Sequence, residues 1–344
     1  MTGRLWLLPL LALLLVASAI GSFRVGAMPI GTLDTIQALL FGGNDASSPL
    51  SPAVISVVRD IRAPRVLTAL LVGVALAVSG ATLQSLFRNP LADPGLVGVS
   101  SGAALAAALS IVLGQRIPVL AGLGHFQLPL AAFVGGLFTT WLVYRLATRE
   151  GRTDVMTMLL AGIAIGAVAQ AGTGLLIFIS DDFQLRTLTF WTMGSLATSS
   201  WQKLSMSAML MLPALVYLMT QRHALDAMLL GEGEAWQLGF DVQQLKQRLV
   251  VCVALLVGAA VAITGIIGFI GLVTPHLVRL MIGPGHARLL PASAMLGGIL
   301  LLLADNVART LVAPAEMPIG ILTSIVGGPF FIALLLQWRR SFTA

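Results

Sequence analysis

Apolar runs separated by short polar segments follow one another along the whole chain. Each run supplies about 20 helical residues, enough to cross the hydrocarbon core of a bilayer. The runs are continuous, whereas the strands of a membrane barrel would alternate apolar and polar positions. The pattern therefore predicts ten helical membrane segments, at about residues 5–20, 66–87, 96–113, 127–146, 155–179, 201–220, 248–268, 268–283, 289–308 and 318–337.

Three stretches need a more careful interpretation. The first run ends at Ala17-Ser18-Ala19, which imitates a signal-peptidase site, so cleavage is the alternative to an uncleaved first span. The eighth segment, 268–283, is interrupted by glycine and proline and predicts a short or bent helix. Residues 24–60 are polar and rich in Gly, Pro and Ser, and we expect a long extramembrane loop there.

Two segments of the chain repeat one another. Residues 69–80 read ALLVGVALAVSG, and residues 254–265 read ALLVGAAVAITG, with eight identities in twelve positions at a constant offset of 185. The register continues to Pro90 and Pro275, and paired glycines lie in phase. The match indicates an internal duplication. We expect the glycines to permit close approach between helices, at Gly73, Gly80, Gly258 and Gly265.

The duplication predicts one transmembrane domain, residues 1–344, with repeat halves at about 62–180 and 246–338. A polar loop, 221–248, separates the halves. The second and seventh segments are an odd number of crossings apart, so the halves insert with opposite polarity. Inverted repeats of this kind are typical of transporters.

Composition supports a membrane protein and limits what else the chain could be. Hydrophobic residues make up 57% and charged residues 10%, against about 25% charged in an ordinary soluble domain. The net charge of +6 does not indicate a nucleic-acid partner, because the arginines cluster at span ends. A single cysteine, Cys252, excludes an intramolecular disulfide.

The basic residues also predict orientation. The clusters at 145–152, 222–248 and 339–340 all fall on one side if both termini are cytoplasmic. Three arginines break this rule, because the same topology puts Arg59, Arg62 and Arg65 outside.

Catalytic motifs are weak in this sequence. Residues 98–102 match G-x-S-x-G, but none of the four histidines is an obvious base for Ser100, and a small-residue packing segment is the stronger interpretation. Neither lysine, Lys203 or Lys246, follows a G-x-x-x-x-G, so the chain lacks the Walker A route to ATP. We predict no catalytic residue and no metal site.

Two stretches are candidates for a role in transport. In the polar loop, LLGEGEAWQLGF mixes acids with leucines and a tryptophan, and Gly239 stands where a helix C-cap would be. A short helix that offers an apolar side to a cytoplasmic partner fits this mixture better than an idle loop. Met156 and Met158 open the fifth segment, where they either pack or line a pathway for a large apolar substrate.

Five blocks, in this order along nearly the whole chain, resemble the permease subunits of ABC importers for cobalamin, iron–siderophores and haem. The blocks are LFRNPLADPGLVGVSSGAAL (86–105), LLGEGEAWQLGF (229–240), GIIGFIGLVTPHLVRL (265–280), LLLADNVAR (301–309) and MPIGILTSIVGGPFF (317–331). The resemblance implies an all-α polytopic permease of ten helices in a bacterial inner membrane. It also implies a homodimer with a pathway at the dimer axis, two copies of a separate ATPase that binds the ATP, and a periplasmic binding protein.

The resemblance assigns roles to particular residues. ATPase coupling would fall on Leu229, Leu230, Gly231, Glu232, Glu234, Ala235, Leu238 and Gly239. Docking of the binding protein would fall on Arg62, Arg65 and Arg309, and the cytoplasmic gate on Val155 and Met156.

The block 86–105 is most similar to the haem branch, so haem is the first expectation for the substrate, with a ferric siderophore or cobalamin as alternatives. Two rival functions stay open, an intramembrane serine hydrolase built on Ser100 and a secondary transporter that needs no ATPase.

Overall fold

The computed structural model describes residues 6–26, 28–41, 50–114 and 122–342, so Leu5, at the start of the first predicted span, lies outside the described part. Within these residues the regular secondary structure is helical except for one short hairpin. The helices are α1 (Leu7–Arg24), α2 (Thr32–Phe41), α3 (Pro52–Ser56), α4 (Ala63–Leu86), α5 (Val99–Leu113), α6 (Gln127–Ala147), α7 (Val155–Phe178), α8 (Asp182–Thr192), α9 (Trp201–Thr220), α10 (Arg222–Leu230), α11 (Glu232–Gln237), α12 (Val242–Thr264), α13 (Ile270–Ile282), α14 (His286–Thr310) and α15 (Ile319–Phe342). The hairpin pairs β1 (Thr148–Arg149) with β2 (Arg152–Thr153) in antiparallel register.

The ten predicted membrane segments all coincide with apolar helices, and the predicted all-α polytopic fold is confirmed. Seven helical stretches are long and apolar enough to cross a membrane, and three shorter apolar helices accompany them among the described residues. The eighth segment is α13, whose 13 residues extend about 20 Å at 1.5 Å per residue. It is therefore short, as its glycine and proline content predicted.

The prediction of a loop over residues 24–60 was wrong in part. The region contains α2 and α3, and a π-helical turn, Val57–Arg62, joins α3 to α4 in one helical stretch. Ser51 accepts a hydrogen bond from the backbone N–H of Val54, and Pro52 occupies the first helical turn, so the start of the stretch is well capped. The composition did not predict these helices, because Pro and Ser favour helix starts as well as loops.

Helices α4 and α12 form the centre of the molecule and contact each other. In the most apolar window of the α3–α4 stretch 78% of residues are buried, and in that of α12 72%. Helices α13 and α14 pack on α4, whereas α6 and α9 pack on α12. Each central helix is followed by one shorter and two longer helices, α5–α7 and α13–α15, which is the order that a duplication predicts.

Gly73 and Gly80, of the four repeated glycines, lie where two helix backbones come close together. A Cβ atom added at Gly80 would lie 1.7 Å from the carbonyl oxygen of Gly271 in α13, and one at Gly73 would lie 2.4 Å from that of Gly297 in α14. Gly258 has more room, with the ring of Phe133 at 3.3 Å. Gly265 differs from its repeat partner Gly80, because it ends α12 at φ +71° instead of lying inside a helix.

The contact at Gly80 generates a stability prediction. Changing Gly80→Ala forces α4 and α13 apart, and we expect a loss of about 1–3 kcal/mol in the free energy of unfolding. Thermal unfolding of the detergent-solubilised protein measures it. Gly21→Ala in α1 is the control, since a Cβ there meets nothing within 4 Å. Equal unfolding temperatures for the two variants would contradict the close contact.

Candidate functional site

The predicted coupling residues form two short helices separated by a glycine. Helix α10 ends at Leu230, Gly231 adopts φ +141°, and α11 covers only Glu232–Gln237. At the far end Gly239, at φ +90°, donates its N–H to the carbonyl oxygen of Trp236 (2.9 Å), which confirms the C-cap predicted there. We call residues 229–239 the coupling segment.

The coupling segment presents apolar side chains outside the spans. Ala235 is fully buried against the rest of the chain, whereas Leu230, Trp236 and Leu238 are 66%, 72% and 62% exposed. Exposed aromatic and aliphatic side chains next to acids are typical of a protein-binding surface. The surface is thus available to a partner, and Gly231 divides what the sequence indicated as a single helix.

The β-hairpin immediately precedes the helix that carries the predicted gate residues. Glu150 and Gly151 form its two-residue turn, both with positive φ (52° and 75°). Such values at both positions define the turn type that matches the twist of a two-stranded hairpin. The chain then enters α7 at Val155, so the hairpin fixes where that helix begins.

Asp154 caps the start of α7. Its Oδ2 accepts hydrogen bonds from the hydroxyl (2.6 Å) and the backbone N–H (2.7 Å) of Thr157, and these hold the pKa of Asp154 below its usual range. A carboxyl with a lowered pKa stabilises the fold at neutral pH, and this contribution is lost as the pH falls through the lowered value. Beyond the cap, Val155 is half-buried and Met156 is 65% exposed.

A buried lysine joins the hairpin to the coupling segment. Lys246 lies in the first turns of α12. Its Nζ is 2.6 Å from Oε1 of Glu232, and it donates a hydrogen bond to the carbonyl oxygen of Thr153 (2.7 Å). The backbone N–H of Thr153 in turn donates to Oε1 of Gln243 (2.9 Å). In the sequence, Lys246 was weighed as an ATP ligand and counted among the basic residues that predict orientation, but not as a buried charge. A lysine beside the run LVVCVALLV was the available signal for a buried charge.

The predicted docking arginines lie together near the start of α4. Nη2 and Nε of Arg65 both donate to the carboxylate of Asp305 (2.8 and 3.0 Å), and Nη1 donates to Glu316 (2.8 Å). Asp305, which is fully buried, also contacts Arg309 (3.0 Å). A carboxylate shared by two arginines is paired well enough to lie in apolar surroundings.

Backbone carbonyl oxygens accept hydrogen bonds from Arg62, the remaining arginine of the predicted docking set, and from Arg309. Arg62 donates to the carbonyl oxygens of Phe23 and Met28, and Arg309 donates to that of Val25 (2.9 Å). All three side chains of the set are buried. The acids that compensate Arg65, Asp305 and Glu316, thus lie within this chain.

The serine and histidine residues do not support the hydrolase motif. Among the described hydrogen bonds, none joins Ser100 to a histidine. A Ser–His–Asp arrangement exists elsewhere, where His286 lies 2.6 Å from Ser85 Oγ and 2.6 Å from Asp226 Oδ1. Ser85 and His286 are completely buried, so a substrate has no access to them. The contact ties α4 and α14 to α10, and it could not be predicted from the sequence because 201 residues separate Ser85 from His286.

The described part of the chain contains no group of three or more His, Cys, Asp or Glu residues that could hold a metal ion.

Helix α7 differs from the central helices in its exposure. Only 17% of its most apolar window is buried, and its exposed residues include Leu160, Ile163, Val168, Gln170 and Leu175. A groove of about 360 Å³ lies between α13, α14 and α15, and its lining is almost wholly apolar. Both surfaces require a cover of lipid or of another protein helix.

Ten apolar helices in the described part of the chain, two of them buried at the centre, place it among the polytopic membrane permeases. The sequence model of the FecCD transport family matches residues 12–337, and the chain belongs to that family.

The similar proteins match four fifths or more of this chain. The chain is 46% identical over 334 residues to the hemin transport system permease protein HmuU of Yersinia pestis, covering 97% of this chain and 96% of that protein. It is 42% identical over 278 residues to the vitamin B12 import system permease protein BtuC of Vibrio vulnificus (strain CMCP6), covering 81% and 82%. A solved metal-chelate type ABC transporter in an inward-facing conformation matches with a TM-score of 0.82 and 34% identity, over 96% of this chain and 98% of that one.

The buried arginines generate a second stability prediction. Arg65→Gln leaves Asp305 with one arginine and Glu316 with none, and we expect a loss of about 3 kcal/mol in the free energy of unfolding. Thermal unfolding in detergent at neutral pH measures the loss. Arg288→Gln, at an exposed position of α14, is the matched control and should leave the unfolding temperature unchanged. An unchanged unfolding temperature for Arg65→Gln would mean that the pairs add nothing to stability.

Proposed function

We propose that this chain is the membrane-spanning subunit of an ATP-driven importer that moves haem from a periplasmic binding protein into the cytoplasm. The likeness to a hemin permease carries the choice of substrate, because it is higher and extends further along the chain than the likeness to the cobalamin permeases. A ferric siderophore or cobalamin is the alternative cargo for the same machinery.

The coupling segment is the proposed docking surface for the ATPase. Its exposed Leu230, Trp236 and Leu238 suit an apolar pocket on a cytoplasmic partner, and Glu234 adds an exposed charge at the rim. Two copies of the ATPase would serve two copies of this chain and would bind the ATP. The fully buried Ala235 fastens the segment to the body of the permease.

A second copy of the chain is the proposed cover for α7. In a homodimer whose axis lies beside α7, its exposed apolar face would line the pathway, and an apolar lining suits the hydrophobic ring of haem. Val155 and Met156 would form the cytoplasmic gate at the start of that helix. Gln170 is an exposed polar side chain about two thirds of the way along the helix, where it would meet the cargo.

The proposed topology puts both termini in the cytoplasm of a bacterial cell with the chain in the inner membrane. The coupling segment is then cytoplasmic, and the cluster of Arg62, Arg65 and Arg309 is periplasmic. Because these guanidinium groups are buried and bonded, we propose that they serve docking by holding the periplasmic surface in shape. Glu316, which is partly exposed, lies at the edge of the cluster.

Reconstitution tests the substrate. The permease is placed in proteoliposomes with its cognate ATPase, ATP is enclosed on the ATPase side, and the cognate binding protein is supplied on the other side with haem, cobalamin or a ferric siderophore. We expect uptake of haem alone. Omission of the ATPase should abolish both uptake and ATP hydrolysis. Faster uptake of cobalamin or of the siderophore would overturn haem, and uptake without the ATPase would identify a secondary transporter.

Breaking α11 tests the coupling segment. The backbone N–H of Ala235 donates to the carbonyl oxygen of Gly231 (3.0 Å). Ala235→Pro removes this donor from the helix interior at a cost of about 3 kcal/mol, so we expect uptake in proteoliposomes to collapse. Gly233→Ala, in the same short helix but with open space around it, is the control.

A milder variant separates docking from folding. Trp236→Ala removes an exposed ring that the fold does not need, and we expect it to weaken binding of the ATPase in a pull-down from detergent while the unfolding temperature stays unchanged. Normal uptake by both Ala235→Pro and Trp236→Ala would remove the segment from the mechanism.

A further inference from the structure

Lys246 is only 2% exposed, and no described residue buried to that degree has a larger side chain. An ammonium group in such surroundings is costly unless charges and hydrogen bonds compensate it. Its two partners are the carboxylate of Glu232 at 2.6 Å and the carbonyl oxygen of Thr153 at 2.7 Å. The lysine is therefore held by both partners together.

These two partners belong to segments with different proposed roles. Glu232 is the first residue of α11 in the coupling segment, whereas Thr153 ends the hairpin, next to the cap Asp154 and the gate residue Val155. Lys246 itself lies in the central helix α12. One side chain thus connects the ATPase-facing surface, the centre of the molecule and the start of α7.

Thr153 and Asp154, at the end of the hairpin, are held by several hydrogen bonds, so they move together with the residues that they bond. Thr153 donates its N–H to Gln243, one turn before Lys246 on α12, so both of its backbone polar groups bond to that helix. Its hydroxyl donates to the Tyr144 hydroxyl oxygen (3.1 Å), and the N–H of Asp154 donates to the carbonyl oxygen of Ala147 (3.0 Å). Displacement of this end therefore moves the first turn of α7.

We propose that Lys246 is the positioning residue through which the coupling segment moves the gate at the start of α7. This inference rests on the proposed roles of both segments. When the ATPase displaces α11, Glu232 moves with that helix. A buried ammonium that lost this carboxylate would keep only the Thr153 carbonyl oxygen and the charge of the exposed Asp154, so the lysine keeps both partners and the hairpin shifts along with them.

A cysteine reporter tests this in the assembled transporter. Cys252 is the single cysteine of the sequence, so Cys252→Ala with Met156→Cys leaves one thiol, at the gate. The permease with its cognate ATPase is placed in lipid nanodiscs. The labelling rate by a water-soluble maleimide is measured without nucleotide and after trapping with ATP, Mg²⁺ and vanadate. We expect trapping to change the rate by about tenfold.

Lys246→Met should remove most of that response while ATP hydrolysis continues, so the substrate imported per ATP also falls. Methionine keeps much of the length without the charge, and Glu232, which is partly exposed, remains in water. Lys246→Arg should retain part of the response. The control is Arg248→Met, because Arg248 is exposed on the same helix and bonds Gln244 within it (2.9 Å).

Glu232→Gln is the second variant, and it keeps the lysine in place if Lys246→Met does not assemble. It should reduce the response in the same direction. A full response with unchanged import per ATP in either variant overturns the inference and leaves the proposed function intact. If trapping does not change labelling of the parent reporter, the gate assignment fails and the inference falls with it. A merely structural lysine would lower the unfolding temperature and ATP hydrolysis together, without a selective loss of the nucleotide response.

Discussion

The structure depends on how the chain compensates charge at the two ends of an apolar body. Near one end, Asp305 lies fully buried between Arg65 and Arg309. Near the other, Lys246 is held by Glu232, and His286 contacts Asp226. Charges in such surroundings stabilise a fold only when each has a partner. The contacts of Arg65 with Asp305 and of His286 with Asp226 join elements distant in sequence, so the pairing of charge also fixes which helices lie together.

Between the two charged layers, the helices are held together by close contact between their backbones. Helices in lipid gain little from burying apolar side chains, so their association relies on packing and on small residues. Gly73 and Gly80 bring α4 against the backbones of α14 and α13, where a side chain would overlap carbonyl oxygens. The charged layers and this glycine contact act on the same helices. Together they make α4 the fixed element against which the others are arranged.

Local patterns predicted most of the fold, because the length and polarity of a segment determine whether it can span a membrane. The ten segments, the short α13 and the cap at Gly239 all follow from neighbouring residues. The helices at residues 32–41 and 52–62 did not, since capping residues and loop residues have the same composition there. The partners of Lys246 and Arg65 were out of reach for a different reason. The contact of Arg65 with Asp305 spans 240 residues and that of Lys246 with Thr153 spans 93, and no periodicity encodes such pairs.

A transporter must also contain parts that move at low cost, and the distribution of burial indicates which they are. Helix α7 is mostly exposed in the single chain and packs on α5 and α6, with Gly162 close to the carbonyl oxygen of Leu96. A helix with so little buried surface can shift without opening the core around α4 and α12. Its first turn, by contrast, is fixed through the hairpin to Lys246. Movement imposed at that turn would displace the proposed gate while the central helices keep their charged contacts, an arrangement that suits alternating access.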